Sequence, residues 1–283
     1  EDTLAHRNEI VLYVGLGLIA AGLRFYQLGS APLSATEAAA ALSSWRLASG
    51  GGEIEVAGRL PLSPLLQTLQ AFIFWVCGSA NSGLARFWPA LAGSTVVFWP
   101  VLLRARIGRG ATLLAVLLLA VSPVLWAVSR AGDGMALGLL CGLLVAAGWQ
   151  WFHVHLDRRG LTLASVALGA GLAVGPQFVS ILFLSGVAFL LHQKTVKGWW
   201  RRLSPELPKL ILPAAITFLL GATAFLRYPL GLSAAAEAWT GWFLNWMPGA
   251  GQRSVLLSPG LLVLHEPLLM MLGLCGTYMA VRG

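Results

Sequence analysis

The sequence predicts an all-α polytopic membrane protein, and three observations carry that expectation. Of its 283 residues, 57% are hydrophobic and only 11% are charged, against roughly 25% charged in a soluble domain. Mean hydropathy is +0.77. Stretches approaching the roughly 20 apolar residues that a helix needs to cross the hydrocarbon core recur along the chain. This composition excludes a water-soluble globular enzyme, a disordered tail and a secreted disulfide scaffold. The net charge of +8, from 19 Lys and Arg against 11 Asp and Glu, would point to nucleic acid in a soluble chain. Here no basic run is interleaved with an RNA- or DNA-binding motif, so no nucleic-acid partner is expected. The excess instead fits cytoplasmic loops rich in Lys and Arg. Cys77, Cys141 and Cys275 lie in apolar stretches without CxxC spacing and read as packing residues. The chain opens on Glu1 rather than Met, which reads as a processed or omitted start, and no separate signal peptide is read.

In chain order, 10–28, 86–103, 111–128, 135–152, 210–227 and 261–281 each read as one span. The apolar region 161–192 is cut by Gly175-Pro176 into two short spans, because proline breaks the helical hydrogen-bond ladder. Segment 61–78 is apolar as well, but Pro61, Pro64 and an interrupted pattern leave it ambiguous. Loop charges decide its role. If 61–78 lies along the surface, Arg7, Arg104, Arg106, Arg109, Arg158, Arg159, Lys194, Lys197, Arg201, Arg202, Lys209 and Arg282 share one side. The other side keeps Arg24, Arg46, Arg59, Arg86, Arg130, Arg227 and Arg253. All the lysines then fall on the richer side, as the positive-inside rule requires of a cytoplasmic face. The expectation is a single transmembrane domain over 1–283 with about eight transmembrane helices. Both termini are cytoplasmic, outer loops cover 29–85 and 228–260, and the setting is a prokaryotic cytoplasmic membrane.

Aromatic residues agree with this layout. Trp126, Trp149, Trp151, Trp199 and Trp200 fall at span ends, where an amphipathic ring is favoured. Trp239, Trp242 and Trp246 recur at helical spacing in 233–247, beside Phe243, as in a short helix on the outer surface. That helix reads either as a plain interfacial anchor or as a sugar-stacking surface. Gly134, Gly138, Gly142 and Ala146 form a small-residue stripe that admits a closely packed helix.

No Asp, Glu, Lys, Arg or His occupies the middle of a proposed span, which argues against proton relays, ion-coupled transport and voltage sensing. His153 and His155 have no Cys or second acidic ligand near them in sequence and make a weak zinc signal. Polar residues gather at the outer face instead: Glu37, Arg59, Arg130, Asp133, Glu237, His265 and Glu266. Carboxylates from several loops at the bilayer surface suit a substrate with a lipid tail and a polar head.

The order of features resembles a family. The first span ends in Leu23-Arg24-Phe25-Tyr26-Gln27-Leu28-Gly29, then Ala31-Pro32-Leu33 precedes an acidic helix start. A Pro-containing surface helix follows, then Ala85-Arg86-Phe87-Trp88-Pro89-Ala90-Leu91-Ala92-Gly93, Ser122-Pro123, Ser129-Arg130-Ala131-Gly132-Asp133 and finally Leu264-His265-Glu266-Pro267-Leu268. Over nearly the whole chain this resembles the GT-C superfamily of membrane glycosyltransferases, of the protein mannosyltransferase and aminoarabinose transferase type. The resemblance implies juxtamembrane helices in the first outer loop, a polyprenyl-phosphate sugar donor and an acceptor reached from outside. It implies an inverting transfer in which an Asp of an Asp-Glu pair takes the acceptor proton. An Arg or a divalent metal ion would steady the leaving lipid phosphate.

The chain departs from that pattern. Its pair is Thr36-Glu37, and threonine cannot act as a base near neutral pH. Pro176-Gln177 stands where relatives often carry Lys-Glu, and relatives usually continue past 281 into more spans and an outer domain. Glu37 and Asp133 are the candidate catalytic residues, with Arg59, Arg130, His265 and Glu266 as candidate substrate-binding residues. Each also has a structural reading. Ser34-Ala35-Thr36-Glu37 fits a capping box, and Asp133 can pair with Arg130 at the surface. Arg59 suits a headgroup boundary, and Glu266 suits a first helical turn. The expected partners are membrane lipids, with a polyprenyl-phosphate sugar if the protein is an enzyme. Other membrane subunits replace the sugar donor if it is a non-catalytic scaffold of a larger complex. A transporter or lipid flippase is disfavoured by the absence of mid-span charge.

Overall fold

A computed structural model describes residues 2–51, 63–155, 157–191 and 207–244. Among them the chain is all-helical. Its helices are α1 (Asp2–Phe25), α2 (Ala35–Ser49), α3 (Pro64–Cys77), α4 (Ser82–Ala85), α5 (Phe87–Val96), α6 (Trp99–Leu102) and α7 (Arg104–Ile107). They continue as α8 (Arg109–Val121), α9 (Pro123–Arg130), α10 (Met135–His155), α11 (Arg158–Val174), α12 (Pro176–Leu191), α13 (Leu207–Ala222) and α14 (Gly231–Leu244).

The helices bury two larger apolar centres and a small third one, Ala224 and Tyr228 against Leu47. Leu66 of α3, Ala92 of α5, Ala136 and Leu137 of α10, Val174 of α11 and Phe178 of α12 form one. Ala20 of α1, Val96 of α5, Val116 and Ala120 of α8 and Leu125 of α9 form the other, with Val97 between α5 and α6. Helix α10 runs through the assembly and includes an 18-residue apolar stretch, Met135–Phe152, long enough to cross a membrane, of which only 28% is buried inside the molecule. Large apolar side chains also cover the outside, among them Val11, Leu18, Ile211 and Leu212, each more than 60% exposed.

Several proposed spans are interrupted. Region 86–103 is not one helix: α5 ends at Val96 and α6 restarts at Trp99. Region 111–128 bends by 52° between α8 and α9. The break lies at Pro123, whose missing N–H orphans the Leu119 carbonyl and whose ring disturbs the preceding turn. Arg24, fully buried, covers the damage by donating to Leu119 O at 3.1 Å and Ala120 O at 3.3 Å. Region 161–192 breaks as expected, at Gly175, whose φ of 107° only glycine adopts easily. Region 210–227 ends early, since α13 stops at Ala222. Among the described residues one continuous helix is long and apolar enough to span a membrane, or two if α8 and α9 form one bent span. Segment 61–78 contains α3, whose 14 residues reach about 21 Å, short of the roughly 30 Å hydrocarbon core.

The small-residue stripe of α10 packs as its spacing suggests. A Cβ at Gly134 would lie 2.9 Å from Val174, one at Gly138 3.3 Å from the Phe178 nitrogen, and one at Gly142 2.7 Å from Ile181. Two aromatic residues of α14 pack against the bundle, while Phe243 is 62% exposed. Trp239 stacks on Phe218 of α13, while Trp242 donates to Ser180 Oγ at 2.8 Å and meets Phe183 edge-on. Both rings thus take part in packing, and Trp246 lies outside the described residues.

Candidate functional site: two acidic corners beside an apolar cavity

The Ser34-Ala35-Thr36-Glu37 pattern folds locally into the capping box it suggests. Ser34 Oγ accepts from the Glu37 N–H at 3.3 Å, and Glu37 Oε2 accepts from the Ser34 N–H at 2.9 Å. Two tertiary partners then close around the same carboxylate. Arg86, at the junction of α4 and α5, places Nη2 2.9 Å from Oε2 and Nε 3.3 Å from Oε1. The Gly132 N–H, from the loop before α10, donates to Oε1. Arg86 further donates to the carbonyls of Ala31 at 2.9 Å and Pro32 at 3.1 Å. Glu37 thus ties the first loop to two others. Burial alone would raise its carboxyl, but the bonds from Arg86, Ser34 and Gly132, with the Arg86 charge, hold it at about 2. A carboxylate this acidic and this fully bonded is a weak base.

Asp133 stands one residue beyond Gly132 in a different state. Its Oδ1 accepts from the Met135 N–H at 3.0 Å, and its other oxygen has no hydrogen-bond partner among the described residues. Burial raises its pKa above the ordinary aspartate value, against the Met135 bond, and the nearby Glu37 charge adds to the rise. The surface ion pair with Arg130 does not form. Arg130 instead reaches the C-terminal end of α1, donating to Tyr26 O at 2.6 Å, Gln27 O at 2.9 Å and Arg24 O at 3.3 Å. Its guanidinium also lies 4.9 Å from the Trp126 ring centroid. The last carbonyls of a helix lack intrahelical partners and carry partial negative charge, so a forked cation there satisfies several at once. Arg130 is committed to the fold rather than open to substrate.

A cavity of about 700 Å³ lies between α5, α8, α9, α10, α12 and α14, with Met135, Leu139, Ile181 and Trp242 among its walls; Met135 is two residues from Asp133, which does not itself line the cavity. Gln177 also lines it, and its Oε1 is buried without a hydrogen-bond partner among the described residues. Among the described residues no group of three His, Cys, Asp or Glu side chains gathers to hold a metal ion. Asp133 has an oxygen free for such a role, whereas Glu37 does not. Arg59, His265 and Glu266 lie outside the described residues.

Sequence reasoning missed three contributors. Arg86 and Arg24 each sit in an apolar run, and a charge there demands partners; that was the available signal. Gln177 offered a weaker one, an amide just after a proline break. Comparisons with protein-family models, curated proteins and solved structures return no match for this chain.

Proposed function

We propose that this chain is a membrane-embedded, GT-C-like protein that acts on a lipid-linked sugar, with Asp133 as its working carboxylate. The observation that carries this reading is the placement of Asp133. It has one open oxygen and a raised pKa, and Met135, two residues on, lines an apolar cavity of about 700 Å³. A polyprenyl chain needs an apolar slot, and the acceptor that attacks its sugar needs a base. A raised pKa brings a carboxyl nearer to the operating pH, where a general base works best. In the proposed step Asp133 takes the acceptor proton, the acceptor oxygen attacks the sugar carbon with inversion, and the bond to the lipid phosphate breaks. Arg59 is the cation we assign to the leaving phosphate. The membrane setting, with about eight spans and cytoplasmic termini, belongs to this proposal. It is supported by the 57% hydrophobic composition and by the apolar outer surface of α1 and α13.

The closure of Glu37 and the diversion of Arg130 favour a second reading, in which the same fold serves as a non-catalytic membrane subunit. Native mass spectrometry in mild detergent, with a polyprenyl phosphate added as probe, separates the two. Retained polyprenyl phosphate that is lost in Ile181→Trp, which fills the cavity, supports the transferase. Stoichiometric protein partners with no retained lipid would replace it with the scaffold.

A further inference from the structure

The turn after α13 carries three consecutive left-handed residues, none of them glycine: Ala224, Phe225 and Leu226, with φ of 47°, 56° and 69°. Such a conformation costs on the order of 1–2 kcal/mol for each L-residue, so the surroundings must impose it. They do so through Thr223, whose Oγ1 accepts from the Leu226 N–H at 3.0 Å, and through the Phe225 N–H donating to Leu220 O at 2.9 Å. The enforced turn buries Ala224 but leaves its two large apolar side chains outside. Phe225 is 68% and Leu226 71% exposed. Beside them α3 presents Phe72, Trp75 and Val76, all more than half exposed. Between the two elements is a second, smaller pocket of about 210 Å³, floored by Leu47 of α2 and Ala71 of α3 and edged by Phe72, Trp75, Phe225 and Arg227. The Arg227 side chain is exposed and has no hydrogen-bond or ion-pair partner among the described residues, unlike Arg24, Arg86 and Arg130.

The geometry points to a binding site for an anionic phospholipid: the Arg227 guanidinium takes the headgroup phosphate, and the pocket between α3 and the 224–226 turn takes the start of an acyl chain. An apolar cup with an open cation at its rim matches a lipid with negative charge at one end and hydrocarbon at the other. A zwitterionic lipid offers the same phosphate but brings a cationic group to the same rim, which weakens its hold on the guanidinium. Exposed Trp and Phe suit the headgroup boundary, where amphipathic and aromatic side chains are favoured. This site is separate from the cavity lined by Met135 and Trp242, and it rests on the membrane reading but not on the glycosyl-transfer reading.

The test uses the full chain in detergent with equimolar phosphatidylglycerol and phosphatidylcholine, read by native mass spectrometry. Wild type is expected to retain phosphatidylglycerol preferentially. Arg227→Gln is expected to weaken that retention about tenfold, as loss of a charge-assisted bond implies, while phosphatidylcholine is weakened less, so that the preference for phosphatidylglycerol is lost. Unchanged selectivity in Arg227→Gln overturns the site. In a second measurement, phosphatidylglycerol brominated near the carbonyl should quench a fluorescence component that disappears in Trp75→Phe; quenching that is identical in that variant also overturns it. A chain that stays monodisperse without detergent or lipid would sink the membrane reading itself. Lost selectivity in a detergent-dependent chain sinks the phospholipid site alone.

Discussion

Glu37 and Asp133 are neighbours through Gly132, yet one is enclosed by donors and the other is left partly open. Glu37 accepts from a guanidinium and two backbone N–H groups, and Asp133 from a single backbone N–H. The same solvent-poor corner therefore pushes their carboxyls in opposite directions, to about 2 for Glu37 and upward for Asp133. Burial raises both carboxyls, and at Glu37 the donors outweigh it. The difference separates two environments: Glu37 holds three segments together, and Asp133 keeps one oxygen without a donor among the described residues.

The largest expected effect is on the closed corner. Glu37→Ala strips the counterion from Arg86, whose side chain is only 8% exposed, and frees two N–H groups. Removing one partner of a buried pair costs about 3–5 kcal/mol, so the denaturation midpoint should fall sharply. A variant as stable as wild type would break the comparison at once.

Acidification sharpens it, because the two groups contribute with opposite sign. Glu37 has a depressed pKa, so its contribution is complete above about 4.5 and is lost as pH falls toward about 2. Asp133 has a raised pKa, so its contribution is complete below the ordinary aspartate value and is lost as pH rises through its folded value. Stability measured between pH 2 and 7 should therefore drop with acid in wild type. The drop should flatten in Glu37→Ala and steepen in Asp133→Asn. Parallel profiles in all three proteins would contradict the assignment.

A smaller effect is expected where the corners meet. A Cβ at Gly132 would lie 2.9 Å from Glu37 Oε1, and Glu37 is pinned by Arg86. Gly132→Ala should cost about 1–3 kcal/mol, the usual range for overpacking, read from the same denaturation curves. The smallest effect belongs to Asp133→Asn near neutral pH, which should shift stability by no more than about 0.5 kcal/mol.

The features legible in the sequence were the local ones. The capping box at Ser34 and Glu37 closes over three residues, the break at Gly175-Pro176 follows from one proline and one glycine, and the α10 stripe from a four-residue step. Arg86 meets Glu37 across 49 residues and Arg130 meets Tyr26 across 104; no spacing rule encodes such pairs. Arg130 and Asp133 looked like an ion pair because they are close in sequence. The orphaned carbonyls at the end of α1 offered the arginine more partners than one aspartate could. Several spans were read as unbroken helices for a related reason. Apolar runs such as 86–103 satisfy a length test, while the backbone breaks inside them wherever proline or a helix crossing demands it.

The central claim is that the open carboxylate, not the closed one, does the chemistry. Its most direct test is transfer from a radiolabelled polyprenyl-phosphate hexose, compared in Asp133→Asn and Glu37→Gln at equal amounts of folded protein. The account predicts that Asp133→Asn abolishes transfer with its fold intact, while folded Glu37→Gln keeps turnover of the same order as wild type. Full activity in Asp133→Asn, with transfer lost in folded Glu37→Gln, would contradict it.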